Sequence, residues 1–102
     1  MGLGETIRLS GGGRYSLTRV RDGAGDSGGM LRSINPATAK QHGENGEVTV
    51  GCRLRCGSVY ARTMQDQDWW LTTPVTAILE KADDNSWVKV RTLNSDYLVK
   101  SF

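Results

Sequence analysis

The sequence predicts a mainly β protein: a single small antiparallel barrel or strongly curved sheet of six or seven strands, with one short helix. Three observations carry this. Runs rich in Val, Ile, Thr and aromatic residues recur along the chain, Asp/Asn/Ser/Gly clusters separate them, and apolar residues alternate with polar ones inside them. At 102 residues, one β-rich domain over 1–102 is the natural count. The hydrophobic fraction, 37%, is low, and 13 glycines take up much of the remainder, so the core must be small.

The first element is an N-terminal hairpin over 6–20. Ile7, Leu9, Tyr15 and Leu17 alternate with polar residues, and Gly11-Gly12-Gly13 supply the positive φ angles of a reversal. A glycine-rich loop over 21–33 follows, returning to the core at Met30 and Leu31. A short helix is expected over 36–42. Asn35 is its N-cap, Pro36 its first residue, Lys40 and His42 its basic last turn, and Gly43 its stop. Strands then occupy 47–102. In the first, 47–56, Val48, Val50, Cys52, Leu54 and Cys56 share one face, and Thr49, Gly51, Arg53 and Arg55 the other. Residues 58–64 form a further strand bent away at Gly57, and a turn leads to Trp69-Trp70-Leu71. The last third is the plainest part: strands at 74–81, 87–93 and 96–102, separated by turns at 82–86 and Asn94-Ser95. Expected core residues are Ile7, Leu9, Leu17, Val48, Val50, Cys52, Leu54, Val75, Ile78, Val88, Val90 and Leu98.

Two strings in the 22–29 loop imitate catalytic motifs. Gly25-Asp26-Ser27-Gly28-Gly29 resembles the nucleophile motif of chymotrypsin-like proteases, but the sole histidine, His42, follows it in an expected helix end, and Met30 stands where that family has proline. Gly23-Ala24-Gly25-Asp26-Ser27-Gly28 fits G-x-G-x-x-G, yet no helix follows to hold a pyrophosphate. A mobile surface loop is the better reading. Cys52 and Cys56 lie about 13 Å apart on an extended strand, beyond disulfide reach. Two cysteines and one histidine fall short of a four-ligand zinc site, so buried thiols are expected. Asp66, Asp68, Asp83 and Asp84 sit in turns, where carboxylates shape backbone. No catalytic, cofactor-binding or metal-binding residues are assigned, and no cofactor is expected.

Net charge is +2 and the pI about 8.7, which excludes a polycation. The distribution is uneven: residues 1–65 hold nine Lys/Arg against five Asp/Glu, and 66–102 four against six. Arg53, Arg55, Tyr60, Arg62, Trp69 and Trp70 form the one constellation suited to binding. Basic and aromatic side chains interleaved on a β-surface hold single-stranded nucleic acid by phosphate pairing and base stacking. The alternative is a solvated face whose arginines pair with the acidic C-terminal third, with one adjacent tryptophan in the core. No apolar run reaches membrane-spanning length and no signal-peptide pattern opens the chain, so a cytoplasmic protein with no membrane partner is expected.

The C-terminal pattern running from Thr73-Pro74-Val75 to Thr92-Leu93-Asn94-Ser95-Asp96-Tyr97 resembles the tails of short, uncharacterised bacterial and bacteriophage or mobile-element proteins, which share this T-x-N-S-x-Y β-hairpin. The resemblance covers about a third of the chain. It implies a small accessory protein and brings no catalytic residue with it. The expected function is therefore non-catalytic binding, through an unidentified protein partner or self-association. Single-stranded nucleic-acid binding on the arginine face is the alternative.

Overall fold

The computed structural model describes residues 3–57 and 69–102. Eleven strands follow one another there: β1 (Thr6–Arg8), β2 (Tyr15–Arg19), β3 (Gly25–Gly28), β4 (Met30–Ile34), β5 (Gln41–His42), β6 (Glu47–Thr49), β7 (Arg53–Gly57), β8 (Trp69–Leu71), β9 (Val75–Lys81), β10 (Trp87–Thr92) and β11 (Asp96–Ser101). They form three antiparallel sheets, ordered β3-β2-β11-β10-β9, β5-β4-β7-β8 and β1-β6. The mainly β class holds. No helix occurs among the described residues, and their hydrogen-bonded ladders do not close into a barrel. No helix among them is long and apolar enough to cross a membrane.

One apolar cluster joins all three sheets. Leu17, Val88, Val90 and Val99 come from the five-stranded sheet, Leu31, Leu54 and Cys56 from the four-stranded sheet, and Ile7 and Val48 from the pair. Polar contacts reinforce it where ladders end. Ser33 Oγ donates to the Glu47 carbonyl (2.8 Å) and accepts the Thr49 N–H (3.1 Å), tying β4 to β6. Thr72 Oγ1 accepts the Leu54 N–H (3.0 Å), prolonging the β7–β8 pairing one residue past β8.

The three C-terminal strands form as their alternation requires, with β10 between β9 and β11. Their phase differs at one expected core position. Tyr97 and Val99 point inward, so Leu98 lies on the opposite face, opposite Lys89. β9 is an edge strand with two bulges: Lys89 pairs with Glu80 but Val90 with Ile78, and Arg91 pairs with Ala77 but Thr92 with Val75. Leu79 and Thr76 are the extra residues, and both are exposed.

Four expectations are overturned. The 6–20 hairpin does not exist as a pair: β1 pairs with β6, and β2 with β11 and β3. Gly11 (φ 114°) and Gly13 (φ 87°) instead carry the chain from one sheet to another. The 21–33 loop contains β3 and most of β4. Arg19 binds the Asp22 carboxylate through two bonds (2.9 and 2.7 Å), Asp22 also caps the Ala24 N–H, and this tight turn returns the chain as β3. The 36–42 helix is a single turn inside the β4–β5 hairpin. Asn35 Oδ1 accepts the Ala37 N–H (2.9 Å), as an N-cap would, and the Ala39 N–H reaches the Asn35 carbonyl (2.8 Å). Ala39 then takes φ 60° and the Asn35 N–H bonds the Lys40 carbonyl (2.9 Å), so propagation stops after one turn. The 47–56 strand breaks at Gly51 (φ 96°), where the Cys52 N–H turns back to the Thr49 carbonyl (3.1 Å). The expected 58–64 strand lies outside the described residues.

Candidate functional site

In antiparallel pairs, directly opposed residues share a face. Arg32 of β4 stands opposite Arg55 of β7, which stands opposite Leu71 of β8; Ile34 stands opposite Arg53, and Gly57 opposite Trp69. Arg32, Arg53, Arg55, Trp69 and Leu71 therefore share the face of the four-stranded sheet turned away from the apolar cluster. Leu31, Leu54, Cys56 and Trp70 occupy the other.

Among the described residues, Arg53 and Arg55 contact neutral groups. Arg53 Nε donates to the Thr72 carbonyl (2.8 Å), and the Arg55 guanidinium lies 5.1 Å from the Trp69 ring centroid. The Nε atoms of Arg32 and Arg55 are buried with no hydrogen-bond partner. Burial, reinforced by the neighbouring Arg32 charge, pulls the Arg55 pKa down from its ordinary value. The ion pairs found among the described residues lie elsewhere, at Arg8–Glu44, Arg19–Asp22 and Arg91–Asp96. Among the described residues, none of these pairs joins an arginine of this face to a carboxylate of the C-terminal third.

The turn over 35–40 folds above the β4 end of the face. Ile34 is only 6% exposed although it points away from the main core. Between this turn and β8 lies a hollow of about 290 Å³. Ile34, Pro36, Leu71 and Trp69 supply its apolar lining, and Asn35, Arg53 and Arg55 its polar rim.

Of the six residues expected on the binding face, the structure brings together Arg53, Arg55 and Trp69. Trp70 belongs to the opposite face: it packs against the core, donates from Nε1 to the Tyr97 hydroxyl (3.3 Å), and carries the Arg19 guanidinium 5.1 Å from its ring centroid. Tyr60 and Arg62 lie outside the described residues. Arg32 is the member that sequence reasoning missed. Its signal was the Leu31-Arg32-Ser33 alternation, hidden by reading 21–33 as a loop.

The other motif residues do not converge here. Ser27 is exposed on β3 and His42 on β5, in different sheets. Cys52 and Cys56 are buried free thiols; burial raises both pKa values, with Asp26 adding to the rise at Cys56, to about 12. No group of three His, Cys, Asp or Glu able to hold a metal occurs among the described residues. A second hollow, about 340 Å³, lies on the outer face of the five-stranded sheet between Trp87, Leu98, Lys89, Lys100 and Glu80. Its basic groups share the space with a carboxylate, Glu80, whereas no carboxylate among the described residues lines the hollow beside the arginines. No known protein family, curated protein or solved structure matches the chain.

Proposed function

We propose that this is a non-catalytic binding protein whose working surface is the Arg32/Arg53/Arg55/Trp69 face, and that its ligand is single-stranded nucleic acid. The observation that carries the reading is the pair of buried, unbonded Nε atoms on Arg32 and Arg55 in a face without carboxylate partners among the described residues. A buried Nε–H without an acceptor is costly, and a phosphate paired with the outer N–H groups of the same guanidinium offsets part of that cost. Trp69 beside it offers a base-stacking surface.

Three arginine–phosphate contacts give a salt dependence of about −2 in log–log slope, so affinity falls roughly 20-fold between 50 and 200 mM salt. Fluorescence anisotropy of labelled DNA and RNA oligomers measures it. Saturable binding that Arg53→Ala plus Arg55→Ala abolishes is the expected result. A flat titration at low salt would sink the reading. A protein partner is the second reading, favoured by exposed Val20 (52%) and Leu93 (67%) at one end of the five-stranded sheet; such an apolar contact would resist salt.

A further inference from the structure

We propose that Asn45-Gly46 is a self-modification site: a deamidation centre that the fold holds shut and that reacts only after its turn has opened. The chemistry lies in the pair itself. The Gly46 backbone nitrogen attacks the side-chain carbonyl carbon of Asn45, Cγ. A C–N bond forms, the Cγ–Nδ2 bond breaks, and ammonia leaves with the proton that the Gly46 nitrogen gives up. Water then opens the resulting succinimide at either of its two ring C–N bonds, giving aspartate or isoaspartate. Glycine suits the step because it has no side chain to hinder the attack and leaves the backbone free to reach the ring geometry.

In the folded protein every group the step needs is engaged. Asn45 Oδ1 accepts the Leu31 N–H (2.9 Å), and Nδ2 donates to the Gly29 carbonyl (3.0 Å). A backbone N–H can only donate and a carbonyl only accept, so these partners fix which amide atom is which. The nucleophile is held as well. The Gly46 N–H donates to the Leu31 carbonyl (2.7 Å), and the Gly46 carbonyl accepts the Leu9 N–H (2.9 Å). Gly46 is buried at φ 92°, although Asn45 beside it is exposed. A buried, bonded N–H does not exchange its proton with water until the structure around it opens, and the same opening must precede the attack. The products do not restore the contacts. Aspartate turns an acceptor towards the Gly29 carbonyl, where Nδ2 had donated. Isoaspartate lengthens the main chain by one carbon just before Gly46, whose two backbone groups must still meet Leu31 and Leu9.

The test follows conversion at Asn45 by mass spectrometry of digested full-length protein, at one pH and temperature, across a urea series spanning the unfolding transition. Conversion should be at least about tenfold slower in native buffer than above the transition, and should rise with the unfolded fraction in between. Asn45→Gln, measured above the transition where its effect on folding does not matter, should all but abolish conversion at this position, because the longer side chain closes a larger ring. Protein aged in urea and returned to native buffer should contain a converted fraction that melts below the unconverted one or fails to refold. Equal rates in native buffer and above the transition would overturn the protection by the fold. Absence of conversion at Asn45 in the unfolded chain would overturn the site itself. Converted chains that refold and melt like unconverted ones would overturn the role given to the Gly29 and Leu31 bonds.

Discussion

Cys56 shows how a wholly buried thiol ties stability to pH. Its Sγ–H donates weakly to the Asp26 carbonyl (3.7 Å), and burial holds its pKa at about 12, against 9.0 for the free group. Between those values the unfolded chain has lost the proton and the native protein keeps it. The native state therefore binds more protons, and its stability falls as pH rises through that window, by at most about 1.4 kcal/mol per pH unit. Urea unfolding from pH 8 to 10.5 should show this decline, and Cys56→Ala should flatten it relative to the unaltered protein. At Gly25 the constraint is steric. Its φ of 154° and its approach to the Leu17 carbonyl leave no room for a Cβ, so Gly25→Ala should cost more than about 2 kcal/mol in a denaturant melt. The burial of Cys56 was legible from alternation alone. Gly25 was not, because the feature that demands a glycine is a partner strand reached only after the chain has turned back.

At the scale of elements, side chains complete what short strands leave unfinished. Ser33 joins β4 to β6 through two bonds, and both Ser33 and Thr49 are wholly buried. Ser33→Ala strands the Thr49 N–H and should cost about 1–3 kcal/mol; Thr72→Val should do the same to the Leu54 N–H. Thermal or denaturant melts of the two variants check both values. The 35–40 turn predicts the opposite sign. Ala39 sits at φ 60° on an exposed turn, and Ala39→Gly should stabilise by roughly 0.5 kcal/mol, a rise of a few degrees in Tm. The helix expected over 36–42 had a sound start, since Asn35 does cap Ala37. It failed because β4 and β5 fix the two ends as a hairpin, and a lone helical turn cannot outweigh that pairing. Arg32 was lost by the same route, since it acquires a face only through the register with Arg55.

Across the whole molecule, the alternating runs identified most strands and left their partners undetermined. The C-terminal strands pair with their sequence neighbours and were legible; β1 and β2 look equally like neighbours and are not. The bulges at Thr76 and Leu79 interrupt the free edge of β9, a device that discourages strands from adding there. Deleting Leu79 removes one bulge while keeping the Ile78 and Glu80 partners, and light scattering should then report more association than in the unaltered protein. The placement of β2 has a further consequence, for the order of events as the chain is made. Residues 15–19 are made well before the strand that flanks them on one side, β11, which comes from residues 96–101. Until that segment arrives, one edge of β2 and the apolar row at Tyr15 and Leu17 stay uncovered, so the five-stranded sheet assembles late and over a long loop closure. Slow dilution and low temperature should therefore raise refolding yield more than any change of ligand or salt.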